Sequence, residues 1–248
     1  ERLGLDRNTL VIFTSDNGPV LFDGYFDGAA EKNQDHRPAG GLRGWKYLVY
    51  EGGCRVPLIA RWPARLPPRV TGQMFSLVDL TATLGHLAGA EVSTAASPDS
   101  LDLSAVLLGE TTDNLRDHTV LHGIADTLAL RVGDWKYIPA NMRGRATGTG
   151  GANPSEARFT PNQIASPLLF NLRDDPAEER NVIGQFPEKA EEMQRRLDAL
   201  REPVALLDRC AGRGHEEDGE RAFLERGKEG GAEGGHEHQR ERREYARA

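Results

Sequence analysis

Residues 9–18 read Thr9-Leu10-Val11-Ile12-Phe13-Thr14-Ser15-Asp16-Asn17-Gly18, an apolar run that stops abruptly on an acid, an amide and a glycine. Such a run is expected to form a buried parallel strand, and in open α/β sheets ligands gather beyond the carboxyl ends of the strands. Asp16 and Asn17 therefore stand where chemistry is expected. Both present hard oxygen atoms, which suit Ca²⁺ or Mg²⁺ better than metals that favour imidazole or thiolate. An Asx-Gly pair after a strand is also ordinary turn chemistry, so the motif alone leaves both readings open.

A second stretch decides between them. Residues 40–63 read Gly40-Gly41-Leu42-Arg43-Gly44-Trp45-Lys46-Tyr47-Leu48-Val49-Tyr50-Glu51-Gly52-Gly53-Cys54-Arg55-Val56-Pro57-Leu58-Ile59-Ala60-Arg61-Trp62-Pro63. The glycines let backbone approach a ligand closely, and Arg43, Lys46 and Arg55 offer positive charge to an anion. A divalent-cation site followed by an anion site is what a sulfate or phosphate ester needs.

The pair of motifs resembles the sulfatase family, in which S-D-N-G and a later G-x-K…E-G-G-x-R-V-P occur in this order and at similar spacing. Three later blocks extend the resemblance. Ser76-Leu77-Val78-Asp79-Leu80-Thr81-Ala82-Thr83-Leu84 is similar to the family's S-x-V-D-L-x-P-T-L helix, with Ala82 where proline is common. Ala129 to Ile138 is similar to the strand pair that opens the family's small C-terminal sheet. Leu169-Phe170-Asn171-Leu172-Arg173-Asp174-Asp175-Pro176-Ala177-Glu178-Glu179-Arg180-Asn181-Val182 resembles L-Y-x-L-x-x-D-P-x-E-x-x-N-L. Together the blocks cover most of residues 3 to 207.

The resemblance implies that Asp16 and Asn17 are two ligands of a divalent metal, usually Ca²⁺ with Mg²⁺ the lesser candidate, and that Lys46 contacts the sulfate group. A metal and a lysine placed there would neutralise ester charge and stabilise the leaving oxygen. Arg43 and Arg55 are expected instead to hold the loop by pairing with a carboxylate such as Glu51. The family's nucleophile is a formylglycine made from Cys or Ser in C/S-x-P-x-R, and that motif is absent from these residues. Cys54 is followed by Arg-Val-Pro and Cys210 by Ala-Gly-Arg. Cys54 is expected to be a small buried thiol. The family's remaining metal ligands belong to its first half.

Glu1 to Asn8 reads as the end of a helix and the turn into the next strand, with Gly4 at the helix C-terminus. The expectation is a C-terminal portion of a sulfatase, α/β in class. It is the distal half of an alkaline-phosphatase-like α/β sandwich over residues 1 to 125, with helix from Phe75 to Ala90. A small antiparallel sheet plus helix follows over 126 to 208, carrying a flexible insertion at about 139 to 167, and then a disordered low-complexity tail from 209 to 248. Pro19 to Ala39 is a polar loop placed to overhang the site. His236 and His238 lie in the tail, and without cysteines at zinc spacing they do not make a zinc site.

The chain has 248 residues, 38% of them hydrophobic and 28% charged, enough to bury a core. Its mean hydropathy is −0.55, and no apolar stretch approaches the roughly 18 residues a membrane span needs. A net charge of −7 argues against nucleic acid as a partner. The remaining histidines are read as follows: His36 as a solvated loop residue, His86 as a satisfied structural residue, and His118 and His122 as flanking a strand from which His122 could face the site. Asp79 is expected to cap a helix or form an ion pair.

Three functions follow. The first is sulfate-ester hydrolysis on a sulfated small molecule or carbohydrate, with the full-length parent periplasmic or secreted and the chain alone inactive. The second is a phosphoryl or phosphonate ester hydrolase of the same superfamily. The third is a non-catalytic protein that binds an anion or calcium.

Overall fold

A computed structural model describes residues 2–21, 28–141 and 164–211. The core of the insertion expected at 139–167, and most of the tail expected from 209, lie outside the described residues. Contacts divide the chain into a unit spanning Glu1–Leu197 and a second spanning Asp198–Ala248. Of the second unit, residues 198–211 are described, as helix. No described helix is long and apolar enough to cross a membrane.

The first strand, β1 (Val11–Thr14), pairs with β2 (Leu58–Arg61) in the register Val11↔Arg61, Ile12↔Ala60, Phe13↔Ile59, Thr14↔Leu58. The pairing is antiparallel, which corrects the parallel strand expected from sequence. An apolar run reports that both faces of a strand seek cover, but it carries no information on the direction of the neighbour. The strand is not buried either: Phe13 is 63% exposed and its register partner Ile59 60%. Before β1, Gly4 adopts the left-handed conformation expected of it (φ 68°), followed by a 3₁₀ turn at Asp6–Asn8. Between the strands lie α1 (Ala29–Asn33) and a single helical turn, α2 (Glu51–Cys54).

Helix α3 (Asp79–Leu87) is shorter than the expected Phe75–Ala90, with Asp79 as its first residue. The Asp79 carboxylate accepts the Ser76 backbone N–H (2.9 Å), the Leu101 N–H (2.9 Å) and the Arg116 guanidinium (2.7 and 2.5 Å). Of the two expected roles Asp79 takes the ion pair, since the helix has no side-chain cap, and its bonds join α3 to the turn before it and to the segment leading into α4 (Ser104–Leu108). The pair is buried, so Arg116→Met, which strands the carboxylate, is expected to cost about 3 kcal/mol in chemical denaturation. His86 is largely exposed, its Nδ1 3.1 Å from Asp102 Oδ2, so a surface contact with a carboxylate rather than a leucine environment satisfies it.

The second sheet is β3-β4-β5-β6, antiparallel throughout: His118–His122, Leu128–Val132, Trp135–Ile138 and Leu168–Asn171. Register places Arg131, Lys136 and Phe170 in one row across the sheet, and Leu130, Tyr137 and Leu169 in a row on the opposite face. On the Leu130 side, Tyr137 Oη donates to Gln194 Oε1 (2.7 Å) in the first half of α5 (Pro187–Ala211), where Ala190, Met193 and Leu197 are buried. The opposite face joins Val49, Tyr50, Ala129, Ile138, Phe170 and Leu172 in the main core cluster. That core therefore combines the segment just after Lys46 with the small sheet, and it brings the two parts of the sequence to one place.

Candidate functional site

The turn after β1 and the loop before α2 are locked together through backbone. Gly18 N–H donates to Gly53 O (2.8 Å), Lys46 N–H to Pro19 O (3.0 Å) and Gly52 N–H to Arg43 O (2.7 Å). The approach is so close that a Cβ on Gly18 would lie 1.9 Å from Gly52 O, and one on Gly52 2.5 Å from Arg43 O. Only glycine fits at either position. The glycines were expected to let backbone approach a ligand; what they admit here is the backbone of the neighbouring loop.

The result is one open cavity of about 620 Å³ lined by Asp16, Asn17 and Lys46 together. Arg55, His122 and Arg131 line it as well. The structure therefore brings all three sequence-derived candidates to one cavity and adds His122 from β3. His36 is exposed and does not line it. Tyr47 beside Lys46 holds a positive φ of 82°, backbone strain concentrated next to the site, and its carbonyl accepts the Ile124 N–H at 2.9 Å.

The donor atoms suit a hard cation. Asn17 Nδ2 donates to Gly18 O (2.8 Å), which assigns the amide nitrogen and leaves Oδ1 for a cation. Asp16 is exposed, and among the described residues its carboxylate forms no ion pair. Two such oxygens are part of the six to eight that Ca²⁺ takes. Among the described residues no group of three or more His, Cys, Asp or Glu could hold a metal. Lys46 Nζ lies 5.3 Å from the Tyr47 ring centroid, a cation–π distance. Cys54 donates its S–H to Leu48 O (3.3 Å), and burial pushes its thiol up to about 11. It therefore stays protonated at neutral pH and cannot serve as a thiolate nucleophile.

Bordering the cavity, which Glu51 and Arg131 also line, sits an ion cluster that sequence reading did not find. Lys136 Nζ, fully buried in β5, lies 3.1 Å from Glu51 Oε1 and 3.0 Å from Glu178 Oε1, the latter an ion pair without hydrogen-bond alignment. Arg131 Nη1 reaches Glu51 Oε2 at 3.3 Å. The Glu178 carboxylate accepts the Glu51 N–H at 2.6 Å, and its backbone carbonyl accepts Arg43 Nη1 at 2.9 Å. Burial holds the Glu178 carboxyl above its usual range, with the Lys136 charge the largest opposing influence. Glu51 thus pairs with Lys136 and Arg131, not with Arg43 or Arg55 as expected. Arg43 does hold the loop, through Glu178 and by stacking 4.0 Å over the Tyr50 ring. The available signal was Lys136 itself, a charge in an otherwise apolar strand.

The family model for sulfatases matches residues 1–90. The N-acetylgalactosamine-6-O-sulfatase of Bacteroides thetaiotaomicron is 37% identical over 204 residues, covering 81% of this chain and 38% of that protein. Human arylsulfatase A is 34% identical over 212 residues, covering 83% of this chain and 39% of its own length. Among solved structures, one from a study of glycosaminoglycan metabolism by Bacteroides thetaiotaomicron superposes with a TM-score of 0.67 at 36% identity, over 81% of this chain and 40% of that one. A sulfatase from a Pseudoalteromonas species gives 0.59 at 26% identity, over 80% and 38%. The chain spans about two fifths of the length of the relatives it matches. Its two antiparallel sheets and helices are part of the α/β fold those proteins share. By sequence and by fold, the chain belongs to the sulfatase family of hydrolases.

Proposed function

We propose that this chain supplies the metal-and-sulfate side of a site that hydrolyses sulfate esters of carbohydrates. The observation that carries the reading is the meeting of Asp16, Asn17 and Lys46 at one cavity, fixed there by backbone bonds between their two loops. Asp16 and Asn17 would hold Ca²⁺ through side-chain oxygens, and the Lys46 ammonium would neutralise the sulfate group and stabilise the departing oxygen. The family's formylglycine supplies the nucleophilic oxygen, and no C/S-x-P-x-R is present in this sequence to form it. A sulfated sugar is favoured as substrate because a relative covering 81% of the chain is named for N-acetylgalactosamine 6-sulfate.

The test is calorimetric titration of the purified chain with Ca²⁺ and with N-acetylgalactosamine 6-sulfate. Lys46→Ala is expected to weaken the sulfated sugar about tenfold while Ca²⁺ affinity holds, because one charge-assisted contact is lost. Asp16→Ala and Asn17→Ala are expected to weaken Ca²⁺ and, with it, the sugar. Equal affinity for the unsulfated sugar would overturn the sulfate reading, and tighter binding of the 6-phosphate would favour a phosphoryl ester hydrolase. Given the missing motif, the chain alone is expected to leave 4-nitrophenyl sulfate intact. Release of 4-nitrophenol that disappears in Lys46→Ala would defeat that expectation.

A further inference from the structure

The segment from Arg43 to Glu51 presents Lys46 to the cavity, and both of its ends terminate on one distant residue. At the first end, Arg43 Nη1 donates to the Glu178 backbone carbonyl at 2.9 Å. At the second, the Glu51 N–H donates to Glu178 Oε2 at 2.6 Å. Glu178 is fully buried and holds a left-handed backbone (φ 56°), a conformation unfavourable for a glutamate and sustained by what it grips. Its other carboxylate oxygen sits 3.0 Å from Lys136, which in turn reaches Glu51 Oε1 at 3.1 Å. Side chain and main chain of Glu178 thus act together as a peg closing the loop that carries the sulfate-contacting lysine.

From this geometry we propose that Glu178 is a positioning residue for Lys46, so that the small C-terminal sheet and its following turn are part of the anion-binding machinery rather than an appended subdomain. The inference rests on the assignment of Lys46 to sulfate made above. It adds that the ammonium is aimed by a residue that touches neither the metal nor the substrate. A loop pinned at both ends holds Lys46 where the anion arrives, and preorganised charge binds and stabilises more strongly than charge that must be ordered first. Arg131 extends the same cluster to the cavity surface, since it bonds Glu51 and lines the cavity with Lys46.

The experiment uses the purified chain and two readouts. The first is a double-mutant cycle on N-acetylgalactosamine 6-sulfate affinity with Lys46→Ala and Glu178→Ala. Glu178→Ala alone is expected to weaken the sugar about tenfold with Ca²⁺ affinity unchanged. In the Lys46→Ala background it is expected to add no further loss, because its whole effect passes through the lysine. The second readout needs no ligand: hydrogen exchange is expected to rise in residues 43–55 and to stay unchanged in α3, residues 79–87, to which, among the described residues, no backbone hydrogen bond from that loop runs. Where Glu178→Ala does not fold, Arg43→Met replaces it, since Arg43 is exposed and its removal leaves the buried charges paired. The same pattern at a few-fold amplitude is expected. Additive losses in the cycle, or loop exchange equal to wild type, would overturn the inference. A wild-type chain that binds no sulfated sugar would overturn the sulfate assignment instead, and the exchange measurement would still decide the role of Glu178 as a peg.

Discussion

Lys136→Met is expected to lower the free energy of unfolding by about 3–5 kcal/mol, because it leaves two carboxylates in a dry volume with their shared cation gone. Glu51 and Glu178 each lie within 3.1 Å of the ammonium, and all three side chains are at most 2% exposed. Methionine keeps most of the length of the lysine, so the loss reports charge more than cavity. The pH dependence carries a definite sign. The Glu178 carboxyl already titrates above the ordinary 4.5, and Lys136 is the strongest influence holding it down. A raised folded-state pKa contributes stability below the ordinary value and forfeits it as pH rises through the raised one. Without Lys136 the shift grows. The deficit of the variant is therefore expected to be largest near pH 8 and to shrink toward pH 4.5, where the Glu178 carboxyl gains its proton. Denaturant titrations at the two pH values check this, and a deficit that grows on acidification would contradict it.

The second large effect is expected from a single methyl group. In Gly18→Ala the new Cβ meets the Gly52 carbonyl oxygen at 1.9 Å and the Gly53 Cα at 2.8 Å, both backbone atoms with no rotamer to retreat into. The turn bearing Asp16 and Asn17 must then separate from the loop bearing Lys46, which also breaks the Gly18–Gly53 hydrogen bond. A stability loss of about 3 kcal/mol is expected, at the upper end of overpacking effects. Binding of Ca²⁺ and of the sulfated sugar should fail together. Gly133→Ala is the control: its φ is +55° but nothing lies within 4 Å, so strain alone acts and about 1 kcal/mol is expected with both ligands still bound. Retained sugar binding in Gly18→Ala would show that the two loops do not need this contact.

Sequence was informative wherever the deciding signal was local. The end of the apolar strand just before Asp16-Asn17-Gly18, the tight glycine turn around Lys46 and the acid at the start of α3 all speak through neighbours a few residues away. The small sheet was legible for the same reason, as its strands are short alternating runs broken at Gly133. The direction of β1 was not, because antiparallel and parallel neighbours ask the same apolar character of a four-residue strand. Nor was the ion cluster. Glu51, Lys136 and Glu178 are separated by scores of residues, and a lysine in a strand reads as an outward-facing edge until its register partner and the facing loop are known. Arg43 shows the same limit: its loop-holding role was inferable from its motif, but its partner on the far side of the chain was not.

The link between Glu51 and Glu178 spans 127 residues, and this distance sets a clock on biosynthesis. At about 5–20 residues per second, on the order of ten seconds pass between synthesis of the first residue and synthesis of the second. Through that interval the loop carrying Lys46 has no peg, although Ala129, Ile138 and Phe170, which pack with Val49 and Tyr50, have all been made before Glu178. The anion site is consequently completed only after every described strand has been made, and a polypeptide stopped short of Glu178 would carry every residue that faces the cavity while lacking the one that holds them in register.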